Sequence, residues 1–222
     1  MNLSENYLLD LMVRMAHNST AIEGNSLSLG DTKSILIDGY VPRPVSLREL
    51  NEVLNYKAFM PFLKLHYKDV LDLRLIKEIH AILCKEAIEG EAGEFKKINN
   101  LIIGADFTPT PPYMVQTALT DWLLNLYEQL KYADTKEAQI EAILRQHIAF
   151  EHIHPFSDGN GRVGRAIMAL NSLYLDMPPI VIPVKRRNEY LNYLATEDLP
   201  GFLEFVLILQ DKETERMELF DK

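Results

Sequence analysis

The sequence predicts a mainly α fold with one β-hairpin, and three observations carry that expectation. Apolar residues recur at three- and four-residue spacing through most of the chain, as in Leu71, Leu75, Ile76, Ile79 and Leu83. One stretch, Ile98-Asn99-Asn100-Leu101-Ile102-Ile103-Gly104, has the short branched apolar character of a strand ending at glycine. Gly and Pro stand between the periodic segments, at Gly24, Gly39, Pro42-Arg43-Pro44 and Pro178-Pro179.

Taken in order, Glu5 through His17 carries Leu8, Leu9, Met12, Val13 and Met15 at helical spacing, and Asn18-Ser19 is expected to interrupt it. Ser19 and Glu23 lie four apart, on one face of a helical turn that Gly24 or Asn25 ends. Ser28 to Asp38 reads as helix stopped at Gly39, and Val41-Pro42-Arg43-Pro44 as an extended connector. Ser46 with Glu49 forms a capping box that opens a helix to about His66. Leu71 to Ala87 follows as an amphipathic helix. His66 and His80 lie in these helices, where surface or packing roles are expected. After Glu91 the helical pattern breaks into the strand-like run, and Pro109, Pro111 and Pro112 end it. Tyr113 to Tyr132 is helical again, Asp134 or Thr135 caps a helix to Ile153, and Arg162 to Tyr174 is an apolar helix ended by Met177-Pro178-Pro179. Arg187 to Leu194 and Leu199 to about Met217 close the list.

At 222 residues the chain suits one domain over 1–222. A net charge of −9 argues against a nucleic-acid partner, whose footprint is a basic face. Cys84 is alone, which rules out an intramolecular disulfide and a Cys-based zinc site. Asp10, Arg14 and His17 interrupt the first apolar segment, so no secretory signal is read there. No apolar run has the length of a membrane span, and the cytoplasm is the expected compartment.

The chemistry concentrates in His154-Pro155-Phe156-Ser157-Asp158-Gly159-Asn160-Gly161-Arg162-Val163-Gly164-Arg165. Gly159-Asn160-Gly161 permits positive φ, which turns successive N–H groups toward an anion, and the Asn160 amide adds further phosphate contacts. The helix that follows adds free N–H donors and a positive dipole end. Arg162 and Arg165 are three apart and reach one anion. Asp158 offers a carboxylate for Mg²⁺, which is held by one or two carboxylates and substrate phosphates. A neutral His154 imidazole takes a proton from an attacking hydroxyl. Phe156 reads as the apolar anchor of the loop. His147, Glu151 and His152 fit neither spacing of the zinc-binding helices, so they read as structural. These are parts for phosphoryl or nucleotidyl transfer.

At every defined position the stretch resembles the HPFx(D/E)GNGRxxR signature of the Fic (Fic/Doc) family of protein adenylyltransferases. The resemblance implies a Fic-type helical domain and transfer of AMP from ATP, with Mg²⁺, to a hydroxyl of a target protein or of the chain itself. It implies His154 as base, Asp158 on the metal, and Gly159, Asn160, Gly161, Arg162 and Arg165 on the nucleotide. Tyr190, in Arg187-x-x-Tyr190, resembles the aromatic that borders the adenine. Residues 19–24, within an N-terminal region of 1–40, resemble the family's inhibitory motif (S/T)xxxE(G/N), which pairs Glu23 with Arg165 through a helix containing Ser19. Residues of about 93–112 resemble the flap that clamps a target segment by strand addition. Two other readings stay open: a hydrolase that removes AMP, and a non-catalytic, nucleotide-gated protein-binding module.

Overall fold

The structure, a computed structural model, describes residues 3–101 and 107–220. In chain order come α1 (Glu5–Ile22), α2 (Leu29–Lys33) with a π-helical turn (Ser34–Asp38), α3 (Leu47–His66) and α4 (Leu73–Leu83). Then follow α5 (Val115–Tyr132), α6 (Lys136–Ile153), α7 (Asn160–Tyr174), α8 (Arg187–Thr196) and α9 (Leu199–Phe220).

The starts are written in local chemistry. Ser4, Asp72 and Thr135 each accept a backbone N–H of the first turn, and Ser28–Asp31 and Ser46–Glu49 close reciprocal capping boxes. Gly39, at φ 78°, ends the π-helical turn in the left-handed region where glycine carries no Cβ penalty.

α7 is the axis of the fold. It packs against α6, α4 and α1, and every residue from Arg162 to Leu173 is buried. A helix covered on all faces is apolar all round except where its polar groups have assigned work. One apolar core joins Phe59, Ile79, Leu119, Phe150 and Leu170, while a second joins Ile143, Met168, Phe202 and Val206. Burying each of these side chains stabilises the fold by roughly 1.5–3 kcal/mol.

Two expectations need correction. α1 is not interrupted at Asn18-Ser19 but continues to Ile22. Asn18 Nδ2 donates to the Arg14 carbonyl at 2.8 Å, and its Oδ1 accepts from Val184 N–H at 2.9 Å. Thr20 Oγ1 donates to Ala16 O at 2.8 Å. Polar side chains that compete with a helix when free here satisfy its backbone and a distant segment.

The β-hairpin flap expected over about 93–112 is the second correction: no strand forms among the described residues. Lys96 N–H donates to Pro155 O and Asn100 Nδ2 donates to Phe156 O, both at 2.9 Å, so this segment binds a loop instead of a partner strand. Ile98 and Leu101 are exposed, and Pro109, Pro111 and Pro112 withhold donors on the return side. Residues 102–106 of the expected flap lie outside the described residues.

Candidate active site

α6 ends where Pro155 removes a donor. Without a Pro155 N–H, the Glu151 carbonyl has no i+4 partner, and His154 Nδ1 lies 3.3 Å from it instead. A carbonyl only accepts, so Nδ1 carries the proton and Nε2 keeps its lone pair. Burial, aided by the Lys96 charge and opposed by that hydrogen bond and by Glu23 and Asp158, pushes the His154 pKa down to about 4. His154 itself sits at φ 49°, and this left-handed residue turns the chain off the helix axis. The result is a neutral imidazole with a free basic nitrogen.

Phe156 follows, fully buried and stacked on His80 with ring centroids 3.8 Å apart and planes 3° apart. His80, for which a surface or packing role is expected, also joins two segments. Its Nδ1 accepts from Gly93 N–H at 2.7 Å, so its Nε2 is the protonated nitrogen and donates to Asp158 O at 3.1 Å. Burial lowers its pKa to about 4, which keeps that tautomer neutral.

The turn then reverses at Gly159, φ 79°, where an added Cβ would stand 2.3 Å from the Cys84 sulfur. Both the angle and the space require glycine. Gly161, in contrast, is ordinary α7 helix. A Cβ there would stand 2.3 Å from Glu23 Oε1, so the missing side chain makes room for that carboxylate. The Asn160 side chain is turned inward: it accepts from Phe156 N–H and donates to Phe156 O, each at 2.9 Å. Its amide closes the loop rather than facing outward.

The two arginines of α7 are both buried and differently occupied. Arg165 Nε donates to Ser19 Oγ at 3.0 Å, and its Nη2 donates to Ser19 O at 2.9 Å and to Glu23 Oε1 at 2.6 Å. Burial works against the charge of Glu23, but Arg165, with Arg162 and Arg187, outweighs it and holds the carboxyl below its usual pKa. Arg162 is 1% exposed and its Nε and Nη1 make no hydrogen bond. Its nearest acids are Glu52 at 3.6 Å and Asp158 at 3.8 Å. Sequence reading passed over Glu52, a buried carboxylate that also meets Asn25 at 2.8 Å and Arg48 at 3.1 Å. Arg48 is its i−4 neighbour on α3, but Asn25 and Arg162 reach it from elsewhere in the chain, and no local pattern marks those contacts.

Tyr190 does not border an open recess. It is 1% exposed, its hydroxyl lies 2.9 Å from His147 Nε2, and Arg165 sits over its ring at 5.9 Å. A groove of about 650 Å³ does open between Val70–Arg74 and α5, but none of its lining residues belongs to the loop. Asp158 points a half-exposed carboxylate outward, with Oδ2 3.4 Å from Arg48 Nη2. One such carboxylate fits an ion held chiefly by phosphates and water, and no three-residue ligand cluster forms among the described residues. Among them, no helix is long and apolar enough to cross a membrane.

Residues 70–171 match the family model of the Fic/DOC family. The chain is 29% identical over 217 residues to protein adenylyltransferase Fic of Aedes aegypti, covering 94% of this chain and 41% of that protein. It is 34% identical over 200 residues to protein adenylyltransferase fic-1 of Caenorhabditis elegans, covering 86% and 37%. It thus spans about two fifths of the length of these curated relatives. A Fic-domain-containing signaling protein from Bacteroides thetaiotaomicron shares the fold, with a TM-score of 0.80 at 23% identity, covering 95% of this chain and 85% of that one. Residues 70–171 of the chain therefore form a domain of the Fic/DOC family.

Proposed function

We propose that this chain is a protein adenylyltransferase held at rest by Glu23. The observation that carries the reading is the contrast at α7: Arg162 is buried with unpaired donors, and beside it Arg165 already holds an anion, Glu23. Buried guanidinium N–H groups without hydrogen-bond acceptors are costly unless a ligand completes them. ATP phosphates complete Arg162, the free N–H groups that open α7 and, once Glu23 leaves, Arg165. The two relatives named adenylyltransferases support the choice of AMP as the transferred group.

In this reading a Ser, Thr or Tyr hydroxyl of a target protein, or of the chain itself, approaches His154. Nε2 takes the hydroxyl proton as the oxygen attacks the α-phosphorus, the bond to the β-phosphate oxygen breaks, and pyrophosphate leaves. Asp158 is the residue that would hold Mg²⁺, which when bound supplies positive charge to the phosphates. His80, Asn160 and Phe156 keep the loop in shape. Tyr190 supports Arg165 from below and reaches the nucleotide through it. The exposed side chains of Ile98 and Leu101, beside the loop, suit an apolar segment of a protein target, and the net charge of −9 disfavours nucleic acid.

The test uses wild type, Glu23→Gly and Glu23→Gly/His154→Ala with Mg²⁺ and α-labelled ATP. Label on protein is expected for the single variant alone. Equal labelling of wild type and Glu23→Gly would remove the resting-state reading, and labelling of the double variant would remove His154 as base. Release of AMP from an AMP-modified target by wild type, with no labelling anywhere, would assign the site to hydrolysis.

A further inference from the structure

Lys96 is a buried lysine with an unusual position. It is 5% exposed, and among the described residues no carboxylate lies within ion-pair distance of its ammonium. Its neighbours behave otherwise: Lys97 meets Glu91 at 2.6 Å and Lys77 meets Glu94 at 3.1 Å, both at the surface. Burial pushes the Lys96 pKa down to about 8. A side chain that long ordinarily carries its charge out to water. Here the ammonium instead donates to Asn100 Oδ1 at 2.7 Å and lies 3.5 Å from Ile153 O.

Those contacts belong to one device. Ile153 O is in the last turn of α6, the negative end of the helix dipole, where an ammonium is stabilising. The backbone N–H of the same Lys96 holds Pro155 O at 2.9 Å, and Asn100 Nδ2 holds Phe156 O at 2.9 Å. The carbonyls on both sides of His154 are therefore taken up by a single five-residue segment. His154 occupies a left-handed conformation, which for a residue with a Cβ persists only when its surroundings impose it.

We propose that Lys96 and Asn100 are positioning residues for His154, clasping the carbonyls of Ile153, Pro155 and Phe156 so that the imidazole presents Nε2 to the incoming hydroxyl. The proposal rests on His154 being the base, and it adds what aims it. Neither residue touches the nucleotide in this account, so their loss slows the chemical step and leaves ATP binding alone.

The test compares Lys96→Met, Lys96→Arg and Asn100→Ala in the Glu23→Gly chain. Label transfer gives kcat and the KM for ATP, and ¹⁵N-detected signals of the His154 ring report which nitrogen is protonated. Lys96→Met and Asn100→Ala are expected to lower kcat by about tenfold or more, the scale of a misaimed catalytic group, with KM for ATP within about twofold. Lys96→Arg recovers most of kcat. The ring signals are expected to move from the Nδ1-protonated form toward a mixture of tautomers in Lys96→Met. Unchanged kcat and ring signals would overturn the proposal, as would a rise in KM with kcat intact. If Glu23→Gly transfers no label, the adenylyltransferase reading fails, and the ring signals still decide the clasp. Should Lys96→Met not fold, Asn100→Ala, which leaves the ammonium in place, carries the same decision.

Discussion

Arg162 and Arg165 stand three residues apart on one buried helix, and they differ in what answers their charge. Arg165 is well answered: the Ser19 hydroxyl, the Ser19 carbonyl and the Glu23 carboxylate all accept from its Nε and Nη2. Arg162 has no carboxylate closer than 3.6 Å and leaves two nitrogens without hydrogen bonds. Burial alone does not separate them. Satisfaction does: Arg165 closes the structure, and under the proposed function Arg162 is the guanidinium that ATP completes.

Substituting each arginine by methionine, which keeps the stem, tests that contrast. In the Glu23→Gly background, Arg162→Met is expected to lower label transfer by about 100-fold, an effect of about 2.7 kcal/mol on the barrier. Its stability should change by less than about 1 kcal/mol, because Glu52 keeps Arg48 and Asn25. Arg165→Met in the wild-type chain is expected to do the reverse in a urea melt, costing about 2 kcal/mol of folding stability as Ser19 O and Glu23 lose their donor. Equal stability losses for the two variants would dissolve the distinction.

Glu151 sharpens the comparison from beneath Arg165. Burial pushes its pKa up from 4.5 to about 7, opposed by Arg165 and aided by Glu23, and one of its oxygens has no partner. Between those two values the folded chain keeps a proton that the unfolded chain has released. Stability from this group is therefore full below pH 4.5 and is lost as pH rises through about 7. Glu151→Gln removes the loss. Its advantage over wild type should be near zero at pH 4.5 and reach about 1–2 kcal/mol at pH 8. A pH-independent difference in the melts would show that Glu151 ionises normally in the folded chain.

Much of this arrangement was legible in the chain, and the illegible part has a common cause. Ser46 and Glu49 announce their helix because a capping box is local, and the glycines of the loop announce a turn for the same reason. The roles of His80 and Glu52 were not legible: His80 joins Gly93 to Asp158, and Glu52 meets Asn25 and Arg162, contacts that exist only after folding. Asn18 misled in the opposite direction, since a helix-breaking residue became a helix-holding one once Val184 arrived to share it. Over its described residues, 98–101, the strand-like run also failed on a long-range fact, because Lys96 and Asn100 are spent on the loop of His154.

Ser19 offers the smallest change that still reads the contrast between the arginines. Ser19→Ala deletes one acceptor of Arg165, the hydroxyl at 3.0 Å from Nε, while the Ser19 carbonyl and Glu23 remain. The backbone is unaffected, since Ser19 lies inside α1 and alanine favours a helix. A typical intramolecular hydrogen bond contributes about 1 kcal/mol, and the two acceptors that remain on Arg165 keep the loss near that value, so the hold on Glu23 should weaken by about that amount. Label transfer by Ser19→Ala should then exceed wild type by about fivefold and stay below Glu23→Gly. The intermediate value matters most. Activity equal to Glu23→Gly would mean that Ser19 alone keeps Arg165 from the nucleotide. Activity equal to wild type would mean that the carboxylate alone does so. Only a value between them fits an anion slot closed jointly by the last turn of α1.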